Sequence, residues 1–192
     1  MSENKTYTSP ISKTALVTAL GFGLAALIVR AASLRIPVVG THLVSDPREL
    51  FVTLGAALSG PVGGMLCGFM ANNWFGEDSI ALISDCSAHI LGGLWIGLTY
   101  KNLMYARLKM PSLLLGWGGL VFMYYYLVVI PVFVGVTYTF FPALVEQLFG
   151  ALSFGQAYTT FAQAATPEFV ITVLITAIIL AILPPKYRRP LW

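Results

Sequence analysis

Charge is what this sequence has least of. Of 192 residues, 10 % are Asp, Glu, Lys or Arg and 57 % are hydrophobic, with a mean hydropathy of +0.80. A soluble domain keeps about a quarter of its residues charged so that its surface stays wet. A soluble enzyme and a disordered chain are therefore excluded. Cysteine is as scarce: Cys67 and Cys86 lie in apolar context at no metal-ligand spacing. They exclude a disulfide scaffold and read as small core side chains. No Gly-Lys dipeptide occurs, so a Walker-type phosphate loop is missing. Gly21-Phe22-Gly23 with Ala26 imitates a dinucleotide fingerprint, but no strand precedes it. The basic residues form no single large cluster, so the net charge of +3 does not describe a nucleic-acid surface. What remains is a series of apolar stretches of about 15 to 30 residues between bunched charges. That is the pattern of an integral membrane protein, almost all helix.

The apolar stretches predict a six-helix bundle with spans near 14–35, 48–59, 61–75, 80–100, 112–141 and 166–183, forming one transmembrane domain over 1–192. The first, with Lys5 and Lys13 before it and Ala31-Ala32-Ser33 after it, also has the outline of a cleavable signal peptide. Residues 50–75 could be one span of roughly 39 Å at 1.5 Å per residue, but Ser59-Gly60-Pro61 interrupts it and Gly-Pro is a strong turn signal. Loop charge decides between the two. With a hairpin at Gly60-Pro61, Lys5, Lys13, Lys101, Arg107, Lys109, Lys186, Arg188 and Arg189 all fall on the cytoplasmic side, and Asp46, Glu49, Glu77, Asp78 and Glu146 face out. Both termini are then cytoplasmic. The fifth span is overlong and kinks at Pro131. Residues 142–160 form an outer connection, and the sixth span opens at Thr166-Pro167-Glu168, an N-cap, a first-turn proline and an acid near the helix dipole.

Intramembrane polar groups need a partner or a use. Asp85 and His89, four residues apart, share one face of the fourth span about 6 Å apart along its axis, beside Ser84 and Ala81. They read equally as a structural pair or as ligand contacts, and less readily as a proton relay or metal site. Asn72, Asn73 and Trp74 end the third span on the same side: one Asn caps a helix, while two amides and an indole also suit a polar heteroaromatic. Glu168 serves the helix dipole or the ligand. Tyr138 has the outermost position among the tyrosines of the fifth span, and His42 sits in the loop 36–47. In the first helix Ala15, Ala19 and Gly23 recur every four residues, a small-residue stripe fit for internal packing or for a partner helix.

The pattern resembles the substrate-binding S component of energy-coupling factor transporters. The likeness rests on six spans in about 190 residues, the stripe Ala15, Ala19, Gly23, the outer loop 36–47, and the hinge Ala56-Ala57-Leu58-Ser59-Gly60-Pro61-Val62-Gly63-Gly64, with His89-Ile90-Leu91-Gly92-Gly93-Leu94 in the fourth helix. The resemblance implies a binding subunit for a scarce vitamin or related micronutrient in a prokaryotic cell membrane. It implies no catalysis by this chain and no cofactor, since a separate coupling subunit and two cytoplasmic ATPases drive uptake. Under it, Asp85, His89, Glu168, Asn72, Asn73 and Trp74 are the substrate-binding candidates, and Ala15, Ala19 and Gly23 the partner-docking ones. The start Met1-Ser2-Glu3 departs from the Met-His opening of the nickel and cobalt branch. A transmembrane sensor with an Arg-containing helix and a Gly-Pro-Gly-Gly hairpin, as in Arg48 to Gly64, is the alternative.

Overall fold

The structure, a computed structural model, describes residues 11–37, 44–72, 74, 78–105, 119, 128–129, 132–150 and 152–192. These are mostly helical. Helix α1 (Lys13–Ala31) is capped by Ser12, whose hydroxyl accepts the Ala15 N–H at 3.1 Å. Strands β1 (Ile36–Pro37) and β2 (Val44–Ser45) pair antiparallel and close the base of the loop that follows α1. Helix α2 covers Arg48–Met70, and α3 covers Ser79–Thr99 with Asp78 accepting the N–H groups of Ile80 and Ala81 at 2.9 Å. By length and composition alone, three helical segments, Lys13–Ala31, Arg48–Met70 and Ser79–Asn102, are long and apolar enough to cross a membrane, although the second is bent at Gly60. Wide π turns follow at Tyr100–Tyr105 and again at Phe133–Phe140, the latter running into α4 (Phe141–Phe149). Helix α5 (Phe154–Ile182) and the single turn α6 (Pro185–Arg188) complete the chain. Pro131 and His42 lie outside the described residues.

Gly60 folds α2 back on itself, as the Gly-Pro signal predicts. Its φ of 81° and ψ of −170° are non-helical and belong to a region that L side chains avoid. The two arms then run side by side. Gly55 packs on Cys67 and Ala56 on Gly64, and the Arg48 guanidinium reaches the Ala71 carbonyl at 3.3 Å. In a straight helix those pairs would be about 12 to 35 Å apart. The second arm lies along α3 at glycine spacing. A Cβ at Gly64 or Gly93 would run into the other's backbone, Gly68 meets His89, and Gly97 meets Gly60.

The stripe of α1 is spent inside the protein. Ala15, Ala19, Gly23 and Ala26 are all buried. Cys67 Sγ lies 3.1 Å from the Ala19 carbonyl, and Gly23 faces Met70. Of the two readings of the stripe, internal packing is the one its burial favours, since the hairpin's second arm lies against Ala19 and Gly23. The last long helix also differs from expectation. It starts at Phe154 rather than Thr166, because Ser153 and Gln156 form a capping box. Thr166 does not cap; its hydroxyl donates to the Ala162 carbonyl at 2.7 Å, and the helix runs on past Pro167. Much of the 142–160 connection is therefore helical as well. The core, with Leu54, Ala57, Ile96, Tyr100 and Leu180, sits between the hairpin, α3 and α5. A Thr53–Thr176 hydroxyl contact of 2.9 Å ties the first arm to α5.

The bundle has two distinct ends. At the terminal end the Leu191 N–H donates to the Leu58 carbonyl beside the hairpin turn, and the Trp192 ring fills the space above Gly60. Ser12 donates to the Leu191 carbonyl, Lys101 to the Trp192 carbonyl, and Tyr100 to the Arg188 carbonyl. At the loop end the C-terminus of α1, both open ends of the hairpin and the start of α3 come together.

Candidate functional site

The loop end gathers charges from three helices. Asp46 precedes Pro47 and accepts the Arg48 N–H at 3.0 Å, which fixes the entry to α2 and sets Arg48 and Glu49 in its first turn. Arg48 grips Asp85 with both guanidinium nitrogens, at 2.8 and 3.4 Å, and its Nε lies 3.1 Å from Asp46. Arg30, in the last turn of α1, pairs with Asp46 at 3.4 Å. Glu49 is 1 % exposed and faces His89, which is fully buried, with Oε1 2.6 Å from Nε2. Tyr138 donates its hydroxyl to Glu49 Oε2 at 2.8 Å and sets its ring edge-on to His89, centroids 5.0 Å apart.

The hydrogen-bond geometry fixes the charge balance. His89 Nδ1 is 2.7 Å from the Asp85 carbonyl, an atom that only accepts, so Nδ1 carries a hydrogen. Nε2 and Glu49 Oε1 at 2.6 Å must then share one further proton, since two lone pairs would repel at that distance. The His89–Glu49 pair is neutral whichever side holds it. Arg30 with Asp46 and Arg48 with Asp85 are neutral as well. Burial of so many charges is tolerated because each meets an opposite charge.

Above this network lies a cavity of about 300 Å³, the lower end of the range for small-molecule sites. Arg30, Arg48, Ser84, Asp85, Tyr138 and Glu146 are on its wall. Ser84 is buried, and its Oγ has no hydrogen-bond partner among the described residues. An unpaired buried hydroxyl is costly, which makes it the natural contact for a ligand or a water.

The six candidate binding residues separate. Asp85 lines the cavity, together with its neighbours Ser84 and Ala81. His89 does not; it lies beneath, holding Glu49 in place. Asn72 is buried and donates to the Gly68 and Phe69 carbonyls at 2.8 and 2.9 Å, so it terminates the hairpin's second arm. Trp74 packs tilted against Phe69, with ring centroids 4.5 Å apart, and remains partly exposed, away from the cavity. Asn73 and the Glu168 side chain lie outside the described residues. Sequence reasoning did not single out Arg48, Glu49 and Glu146 as site residues. The signal for the first two was present in Asp46-Pro47-Arg48-Glu49, which opens an apolar helix with two charges that have to be buried. Among the described residues no group of three or more His, Cys, Asp or Glu could hold a metal ion.

Comparison with family models, curated proteins and solved structures gives no match for this chain.

Proposed function

We propose that this protein is the membrane-embedded substrate-binding subunit of an energy-coupling-factor-type importer, taking up a small water-soluble vitamin or related micronutrient. The observation that carries the reading is the cavity: a space of about 300 Å³ at one end of the bundle, with apolar side chains, several charged ones and the Ser84 hydroxyl in its wall. A merely structural charge network has no need of that space. Lys13, Lys101, Lys186 and Arg188 belong to the terminal end, whereas Asp46, Asp78, Asp85 and Glu146 belong to the loop end, where Arg30 and Arg48 are each paired with an acid. The positive-inside rule then sets the termini in the cytoplasm and opens the cavity to the outside of the cell membrane. The fold-back at Gly60 and its glycine packing on α3 are the features the family resemblance leads one to expect. In this reading the chain performs no catalysis, and a coupling subunit with two ATPases supplies the energy. With the small-residue stripe buried, the exposed face of α1, with Val17, Leu24 and Ile28, is what that helix offers to lipid and to a coupling subunit.

Native mass spectrometry of the full chain, purified gently from its own host, tests the reading. The expected result is a retained small molecule, with or without ATPase partners, that is lost in Ala81→Trp, where an indole fills the cavity. A chain that is empty in its native membrane, or one that co-purifies with a signalling kinase and carries no ligand, overturns it in favour of a sensor.

A further inference from the structure

The charge on the cavity wall points to the class of ligand, an inference that rests on the binding role proposed above. Each buried charge beneath the cavity is neutralised by a neighbour, with one exception at the rim. Glu146, on α4, has no ion pair among the described residues, and its carboxylate lies against Gly150 while its residue lines the cavity. No Lys or Arg occurs between Lys109 and Lys186, so neither α4 nor α5 brings a cation toward it. The two arginines on the wall are already committed, Arg30 to Asp46 and Arg48 to Asp85. Within the Arg48–Asp85 pair the acid is the more open partner, with 24 % of its side chain exposed against 10 % for Arg48. The cavity wall therefore carries the carboxylates of Asp85 and Glu146 beside Glu49, whose charge the shared proton with His89 balances, and among the described residues it has one negative charge in excess. Ser84, 3 % exposed and with an unpaired Oγ, adds a hydrogen-bond acceptor in the same wall. Tyr138 and Phe161 supply aromatic side chains beside it.

We infer that the cavity binds a small organic monocation, an ammonium or a protonated nitrogen heterocycle, with its charge between Glu146 and Asp85 and an N–H directed to Ser84. A carboxylate-bearing ligand would face the excess negative charge and would have to pull Arg30 or Arg48 from its buried partner. A neutral ligand would leave the Glu146 charge without a partner on the cavity wall.

The test uses three probes of nearly equal shape, benzylammonium, benzyl alcohol and benzoate. Binding is measured by ligand-observed magnetic resonance on the full chain in zwitterionic nanodiscs, with empty nanodiscs subtracted. Benzylammonium is expected to bind about tenfold more tightly than benzyl alcohol, as two carboxylates at a half-buried site warrant, and benzoate not at all. Glu146→Gln, a half-exposed change that leaves the fold intact, is expected to reduce that preference to about threefold or less, and Ala81→Trp to abolish binding. Equal binding of the three probes, or stronger binding of benzoate, overturns the charge assignment and leaves the binding role standing. Failure of all three to bind, with wild type and Ala81→Trp indistinguishable, overturns both.

Discussion

At the terminal end the helices are closed by shape: the Trp192 ring lies over Gly60, backbone carbonyls accept from Leu191 and Lys101, and glycines let two helices touch. At the loop end they are closed by charge, through Arg30, Asp46, Arg48, Asp85, Glu49 and His89. The difference has a physical reason. Contacts between backbones are dry, short-ranged and indifferent to charge, and they leave no space. Ion pairs hold elements together at longer reach, and the room between them becomes a cavity when one wall is lined by small residues such as Ala81 and Ser84. One end of the molecule is thus solid and the other hollow, with the same helices running through both.

The comparison can be broken most sharply at Glu49. Glu49→Ala leaves His89 and Arg48 without an acid they both face, and removing one partner of a buried pair costs about 3–5 kcal/mol. Thermal unfolding in detergent should show a large drop, and Glu49→Gln a smaller one. A melting temperature close to wild type for Glu49→Ala would mean that charge does not hold the loop end together. At the terminal end, Gly60→Ala is expected to cost about 1–3 kcal/mol from backbone strain alone, with a further loss from displacing the Trp192 ring. Combining it with Trp192→Ala should recover part of that loss, because the two changes share one contact. Strict additivity in the double mutant would show that Trp192 is not what closes this end.

Finer changes sharpen the picture of the hollow end. Tyr138→Phe keeps the ring and removes only the hydroxyl that Glu49 accepts, a loss of about 0.5–1.5 kcal/mol. An unchanged unfolding temperature would place the proton-sharing pair out of reach of α4 and the π turns before it. Ser84→Ala should shift stability by no more than about 0.5 kcal/mol, since its hydroxyl has no partner to lose among the described residues. A clear destabilisation there would reveal a structural bond and remove Ser84 from the wall of the binding site.

How far the sequence reveals these features depends on the distance over which each is determined. The fold-back is legible because Gly60-Pro61 is local chemistry, a turn signal that needs no tertiary partner. The small residues Ala15, Ala19 and Gly23 are legible as a stripe, yet what covers a stripe is set by the rest of the chain, and here it is Gly63, Cys67 and Met70. Asp85 and His89 emerge from their spacing on one helix, but Arg48 and Glu49 lie some 37 to 40 residues away and Tyr138 is 89 residues from Glu49. No periodicity reports such a meeting. The start of α5 at Phe154 was open to reading, since Ser153 and Gln156 stand at capping-box spacing. Thr166-Pro167 is the stronger start signal to the eye, because proline suits a first helical turn. A long helix can nevertheless absorb one proline, leaving a single carbonyl unserved.

The glycine seam between the hairpin and α3 has a mechanical consequence. Where Gly64 meets Gly93 and Gly97 meets Gly60, the two backbones are already in contact, so they can neither close further nor slide without a collision. These elements form the stiff half of the molecule. Helix α4 borders the cavity through side chains such as Glu146, which can yield by rotation. Any change of shape on filling the cavity is therefore borne by α4 and the adjoining part of α5, and slowed amide exchange is expected over Phe141–Phe149 but not over Gly60–Gly68. Compliance in this protein is distributed by glycine: the helices that approach most closely are the ones least free to close up or slide against each other.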